Sequence, residues 1–565
     1  MPSEMDRSLK ANLEASLAPG GPLELTTIPR YGTDLPLFRQ APPTLTAYFA
    51  HFCARHGDAT FLVDGELRLS FADSFAAARA LAGGLVEGHE VRKGDRIGIA
   101  ARNSANWAIA YMAVLLAGGC VTLLNGFSTG EELAEAIALA ECSLVLADPQ
   151  RAARLDGRAH GAQVLVFTHD AQPLEGLREL IARGGGAETP LPELAPEDHA
   201  TILFTSGSTG KSKGALSDHR AVVQATMNFG AQTLIVYGHM LKRGEAPAHP
   251  SASLVAVPLF HVTGEVPVFL QSFALGRRLV ILPKWDVLEA MRLIEAEKIT
   301  YFVGVPLMSI ELATHPERGK FDLSSCTNFA AGGAPRPPDH VRRIRTSLPS
   351  GFPIIGYGLT ETNAVGCGNF NENYLAKPGS TGPASLPLVD LAILGADGAK
   401  LPQGETGEVA IRSVCNFLGY WNDPEATRAA LREDGYFLTG DLGFLDEDGY
   451  LFIVDRKKDI IIRGGENISC IEVEQAIYAH PSVAECSVFG LPDDRFGEIP
   501  AVVWLPKEGH DLDEGDLREF LAETLAPFKI PARMWRAEGP LPRLGTAKVD
   551  KRALREKYLA LSEDR

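Results

Sequence analysis

The stretch Ile202-Leu203-Phe204-Thr205-Ser206-Gly207-Ser208-Thr209-Gly210-Lys211-Ser212-Lys213-Gly214 runs from a short apolar segment into ten residues made only of Gly, Ser, Thr and Lys. Such a composition cannot build a core. Glycine-permitted backbone conformations let successive N–H groups form a concave donor cradle, the hydroxyls add donors, and two ammonium groups add charge. Phosphate is the expected guest. A Gly/Ser linker would have no use for two lysines. A Walker A loop needs G-x-x-x-x-G-K-[ST]; Gly210-Lys211-Ser212 fits its end, but Thr205 stands where the leading Gly must fall. The loop therefore holds phosphate by another geometry.

Working outward, 565 residues exceed one compact core, so two or more domains are expected. A formal net charge of −17 argues against a nucleic-acid or anionic-membrane binder, and means that anions are held by local donors. The eight cysteines are scattered without a C-x-x-C pair, which points away from zinc ribbons and disulfide frameworks and toward a reduced, cytoplasmic setting. No secretory or peroxisomal signal is read at either end. Residues 107–124 are uncharged and long enough to mimic a membrane span. Gly118-Gly119 divides them, however, into an expected buried helix (107–117) and strand (121–124), so no transmembrane segment is expected.

Strand-like runs such as Arg96-Ile97-Gly98-Ile99-Ala100, Leu254-Val255-Ala256-Val257 and Pro353-Ile354-Ile355-Gly356-Tyr357 alternate with helical stretches. That alternation predicts an α/β fold with parallel layers. Residues 1–40 read as an arm of little periodicity, and 41–457 as a large domain of layered α/β subdomains. Within it, the Asp-Gly turns at 397–398, 434–435 and 448–449 mark a small β-rich subdomain from about residue 388 to 457. Residues 458–565 read as a separate, small α+β domain. Asp446-Glu447-Asp448-Gly449 resembles half a calcium loop but lacks its spacing, and reads as a hairpin turn.

Four further clusters carry chemistry. Gly332-Gly333-Ala334-Pro335 lets backbone approach a flat ligand. Tyr357-Gly358-Leu359-Thr360-Glu361 joins an aromatic face, a hydroxyl and a carboxylate. Asp441 ends a strand with an acid able to bridge two sugar hydroxyls. Arg456-Lys457-Lys458-Asp459 precedes Arg463-Gly464-Gly465-Glu466-Asn467. Each alone is a weak signal, and their joint order is specific.

Over roughly residues 45–555 the chain resembles the adenylate-forming superfamily of acyl- and aryl-CoA synthetases, luciferases and peptide-synthetase adenylation domains. The resemblance implies an ATP-binding set of Thr205, Ser206, Gly207, Ser208, Thr209, Gly210, Lys211, Lys213 and Gly214 on the β/γ-phosphates. It adds Gly332, Gly333, Ala334, Pro335 and Tyr357 by adenine, and Asp441 with Arg456 on ribose. It implies catalytic Lys548, Thr360, Glu361 and His261, with Glu361 holding Mg²⁺. Lys458 is the implied hinge of a mobile C-terminal domain, and Arg463, Gly464, Gly465, Glu466 and Asn467 the implied CoA-side face. The family commonly has Gly before the catalytic lysine, where this chain has Ala547.

The implied reaction joins a carboxylic acid to CoA at the expense of ATP, through an acyl-AMP. His261, Val262, Gly264 and Val303 are the expected acyl pocket, apolar and without an evident buried charge, which favours a fatty, alicyclic or aromatic acid. Rival readings are loading of a carrier protein and a silent nucleotide sensor. Intact Lys548, Glu361, Asp441 and Arg456 oppose the sensor. Oligomeric state, a homodimer included, is left open.

Overall fold

The structure, a computed structural model, describes residues 2–168, 172–205, 212–245, 247–544 and 548–563. The expected α/β alternation appears as two large sheets. In the first, the spatial order is Gly419–Tyr420, Lys213–Asp218, His199–Thr205, Cys120–Leu123, Arg96–Ala100, Leu144–Ala147, Gln163–Val166. The five strands from His199–Thr205 onward in that order pair in parallel, and Lys213–Asp218 returns antiparallel to His199–Thr205. In the second the order is Cys367–Asn369, Phe352–Tyr357, Asn328–Ala331, Tyr301–Gly304, Ala252–Val255, Arg278–Ile281, Thr60–Asp64, Leu67–Ser70, antiparallel only at its two edges.

One apolar cluster joins Ile97 and Val121 of the first sheet to Leu62 and Leu279 of the second, through helices Phe71–Gly88 and Ala105–Leu116. Every residue of Ala105–Leu116 is buried, with Ser104 capping its start. This explains the uncharged stretch at 107–124: a helix between two sheets is apolar all round. No described helix is long and apolar enough to cross a membrane.

Parallel strands share a direction, so the segments that leave their C-terminal ends gather in one crevice. In the second sheet these are the turn before Val262, the Val303–Val305 corner, Gly332-Gly333 and Tyr357.

The Asp-Gly turn at Gly435, φ 83°, leads from helix Pro424–Ala430 into strand Phe437–Leu445 of a four-stranded sheet that runs from Asp390–Leu394 to Leu451–Arg456. Those at Gly398 and Gly449, φ 78° and 79°, join neighbouring strands of that sheet. In the last of them Lys377 Nζ lies 2.6 Å from Asp446 and 2.9 Å from Asp448, so an ammonium bridges those carboxylates. Beyond residue 458, Val483–Asp493 and Gly497–Pro506 form a long hairpin flanked by helices Cys470–Tyr478, Glu514–Ala522 and Lys551–Glu563. The N-terminal arm holds more regular structure than expected. Helix Glu4–Leu17, closed by a Ser3/Asp6 capping box, is followed by the hairpin Leu25–Arg30/Thr33–Phe38.

Candidate active site

Strand His199–Thr205 delivers Thr205, whose carbonyl accepts a 2.8 Å bond from Ser212 Oγ across the neck of the loop. Ser206, Gly207, Ser208, Thr209, Gly210 and Lys211 lie outside the described residues. Lys213 and Gly214 open the returning strand. The Lys213 ammonium stands 4.9 Å from the centre of the Tyr420 ring, and the Tyr420 hydroxyl donates to Glu361 Oε1 at 2.7 Å. Glu361 is buried in a single 3-10 turn, Thr360–Thr362. Burial pushes its carboxyl up, against the Tyr420 hydrogen bond that favours the anion.

Asp441 and Arg456 are partners across neighbouring antiparallel strands, and their side chains meet with Arg456 Nε 3.2 Å from Oδ1. The Tyr357 hydroxyl donates to Asp441 Oδ2 at 2.7 Å. The expected adenine-side aromatic and the expected ribose acid are therefore one bonded unit. Burial raises the Asp441 proton affinity, while the Arg456 cation and the Tyr357 hydroxyl lower it.

Gly333 has φ 76°, a left-handed conformation that a side chain would strain. A Cβ there would lie 3.3 Å from Lys548 Cε and 3.7 Å from its Nζ. Lys548, far down the chain, thus stands on the Gly332-Gly333 turn. Burial first, then the Arg456 cation, lower its pKa to about 8, while Asp441 acts in the opposite sense. Its ammonium also bears on His261, whose pKa falls to about 3, chiefly through burial. The imidazole is neutral, and its Nδ1 accepts from Thr263 N at 3.3 Å, capping the turn Val262–Gly264. Gly264 is held by a close approach, since a Cβ would sit 2.2 Å from the Pro258 carbonyl oxygen. Val262 and Val303 are buried beside this corner.

Strand-borne side chains and turns of both large sheets and of the four-stranded sheet are thus gathered around one crevice, with Lys548 set against Gly333. The description "AMP-binding enzyme" fits residues 49–421, and "AMP-binding enzyme C-terminal domain" fits residues 472–548. The chain belongs to the AMP-binding enzyme family. This AMP-binding enzyme is 32% identical over 559 residues to a long-chain-fatty-acid–CoA ligase of Bacillus subtilis, covering 93% of this chain and 97% of that one. It is 32% identical over 502 residues to a feruloyl-CoA synthase of Amycolatopsis, covering 88% and 96%. The ATP-bound MatB of Rhodopseudomonas palustris superposes with a TM-score of 0.80 at 30% identity, covering 91% of this chain and 99% of that chain. The enzyme is an acid–thiol ligase that uses ATP and CoA and forms AMP.

In this AMP-binding enzyme the hairpin Arg463-Gly464-Gly465-Glu466 turns through two left-handed glycines, φ 60° and 93°. Arg463 Nη1 donates to Phe528 O at 3.2 Å within its own domain, whereas Lys548 is the residue set against Gly333. Several contributors were not singled out from sequence. Thr263 packs against both glycines of the 332–333 turn. Arg336 ties that turn to the carbonyls of Ile354 and Phe329. Asn363 links Ser217 to the Cys415 carbonyl. Glu265 was also missed: the residue directly after Gly264 is a carboxylate with no exposure, so a buried ionisable group adjoins the turn Val262–Gly264.

Proposed function

We propose that the enzyme activates an apolar carboxylic acid, fatty, alicyclic or aromatic, as its acyl-AMP and then transfers the acyl group to CoA. Lys548 serves the first step only. A carboxylate is a poor acyl donor because its leaving group would be oxide. Its oxygen therefore attacks the α-phosphorus of ATP, the bond from that phosphorus to the β-bridging oxygen breaks, and pyrophosphate departs. The CoA sulfur then attacks the acyl carbon, and AMP leaves with the bonding electrons. Both first-step reactants are anions, so fixed positive charge between them lowers the barrier. The observation that carries this reading is the Lys548 ammonium beside Gly333, within the fields of Asp441 and Arg456.

In this reading Asp441 and Arg456 fix the ribose, Tyr357 bounds the adenine, and Thr205, Lys213 and Gly214 flank the pyrophosphate. His261, Val262, Gly264 and Val303 border the acyl group, and the hairpin from Arg463 to Asn467 receives CoA after domain rotation about Lys458. Glu361 fits Mg²⁺. It is a buried carboxylate whose raised proton affinity marks an anion short of compensation, and Mg²⁺ is commonly held by one or two carboxylates plus substrate phosphates. When bound, the ion would neutralise charge on the phosphate oxygens. The names of the Bacillus and Amycolatopsis relatives support CoA over a carrier protein as acceptor, and an apolar acid as donor.

Partial reactions test this assignment. Lys548→Ala is expected to abolish acid-dependent pyrophosphate release, about a thousandfold or more for a charge made to stabilise the transition state. It should spare thioester formation from pre-made acyl-AMP. Equal loss of both steps would contradict the role given to Lys548.

A further inference from the structure

Three carboxylates of the large domain are essentially without solvent exposure: Asp148 at 0%, Asp218 at 1% and Glu265 at 0%. Two have guanidinium partners, Arg151 at 3.1 Å from Asp148 and Arg30 at 2.6 Å from Asp218. Glu265 has no basic partner among the described residues. Its Oε1 accepts the Tyr111 hydroxyl at 2.7 Å, and its Oε2 has no hydrogen-bond partner among the described residues. Tyr111 is itself enclosed, with Trp107 stacked at 5.4 Å and Phe269 edge-on at 5.3 Å between ring centres. A buried carboxyl in such a setting is costly unless its bonding capacity is filled, and an apolar side chain of similar volume would be cheaper.

The position of Glu265 bears on what fills that capacity. Two residues earlier, Thr263 packs on the Gly332-Gly333 turn where Lys548 stands. Gly264, between them, contributes no side chain. Glu265 N donates to the His261 carbonyl at 3.0 Å, which sets Glu265 one turn beyond the histidine that lies in the field of Lys548. It also opens a π-helical segment, Glu265–Leu270, around Pro267. Such segments recur at functional sites because they displace one residue from the regular helical array.

We propose that Glu265 is a specificity-determining residue that hydrogen-bonds a hydroxyl group on the acyl chain a few bonds from the carboxylate, so that the preferred acid is a hydroxylated member of the otherwise apolar class. A hydroxyl both donates and accepts. It therefore satisfies Oε2 whether the carboxyl is ionised or protonated, and burial that lifts this group to about 7 makes both forms accessible. This inference rests on the acyl-CoA synthetase reading above.

The test uses the full-length enzyme with ATP, Mg²⁺ and CoA, following pyrophosphate release on matched acids. Each set shares one carbon skeleton bearing a methylene, hydroxyl, keto or ammonium group moved stepwise along the chain. The wild type is expected to favour one hydroxy acid over its deoxy partner by at least about tenfold in kcat/KM. Glu265→Gln, which keeps a donor and an acceptor, should retain part of that ratio. Glu265→Leu should reverse it, turning over the deoxy acid at least as well as the wild type does. A ratio near one at every hydroxyl position, a preference for the keto or ammonium acid, or an unchanged ratio in Glu265→Leu would each overturn the proposal. Release of pyrophosphate without discrimination would refute this inference alone. No release with any acid would refute the underlying functional reading instead.

Discussion

At the scale of single residues, the role proposed for Lys548 makes its protonation state decide when the first step can run. A lysine that bridges two anions must carry its proton, and here burial and Arg456 hold its pKa at about 8 in the free enzyme. Because the pKa is depressed, the charged form is lost as pH rises through that value. The expected outcome is a kcat/KM for CoA-independent pyrophosphate release that falls with an apparent pKa near 8, since this parameter reports the free enzyme. Bound phosphate and carboxylate favour the ammonium, so the corresponding limb of kcat should lie at higher pH. Lys548→Arg keeps its charge throughout and should remove the alkaline limb, at a lower rate because the planar fork cannot copy a point charge. A wild-type kcat/KM profile that stays level across pH 8 would assign the cation to another group. His261 does not supply an acid limb in this range, since burial and the neighbouring ammonium hold it near 3.

At the scale of elements, the crevice depends on how closely the segment after Ala252–Val255 turns back on itself. The Pro258 carbonyl lies where a Gly264 Cβ would stand, 2.2 Å away, and its neighbour His261 O accepts from Gly264 N at 2.8 Å. Gly264→Ala must therefore push the turn outward. It is expected to cost at least about 2 kcal/mol by overpacking, read as a lower denaturant midpoint. KM for the acid should rise more than KM for ATP, because Asp441 and Arg456 sit on another sheet. An unchanged midpoint with unchanged KM values would show that the turn relaxes freely. The same element explains what was legible in the sequence. Gly332-Gly333, Tyr357 and Thr205 could be picked out because each follows or ends a strand, where composition changes within a few residues. Asp441 stood out by its Thr-Gly-Asp run, but it lies within strand Phe437–Leu445 and not at the strand end expected for it, because pairing with Leu451–Arg456 continues past it. The Asp-Gly turns could be read for the same local reason. Thr263, Arg336, Asn363 and Glu265 could not, since their roles depend on distant chain segments: Arg336 on Ile354, Asn363 on Ser217, Glu265 on Tyr111. Helix Glu4–Leu17 is a different case. Ser3 and Asp6, with Met5, Leu9, Leu13 and Leu17 four apart, carried a readable helix signal, and Met5 and Leu13 are its buried residues.

At the scale of the whole molecule, Lys548 lies in the crevice beside Gly333, and the second half-reaction proposed for the same place would require it to leave. Rotation about Lys458 is the proposed exit, and the bonds around that residue define what must give. Lys457 N donates to Gly440 O at 2.9 Å, which anchors the residue before the pivot to the β-rich subdomain. Other bonds cross the pivot, from Ser469 Oγ to the Val454 carbonyl at 2.7 Å and from Cys470 N and Ile471 N to the Asp455 carboxylate. Asp455 and Ser469 thus cap the start of helix Cys470–Tyr478 from both sides of residue 458. A turn of the C-terminal domain must exchange these bonds or carry the end of strand Leu451–Arg456 with it, and either route needs freedom in the backbone of 457–459. Proline at 458 fixes its own φ and restricts Lys457 toward extended conformations. Lys458→Pro is therefore expected to keep acid-dependent ATP–pyrophosphate exchange within a few-fold of wild type, while acyl-CoA formation from acyl-AMP falls by a hundredfold or more, as roughly expected when closure gates the step. Acyl-AMP should accumulate on the enzyme and be detectable after quenching. Loss of both activities at an unchanged unfolding midpoint would make Lys458 part of the chemistry. Full CoA turnover would move the pivot elsewhere, with the 463–467 hairpin then reaching the crevice by a motion that leaves residue 458 as it stands.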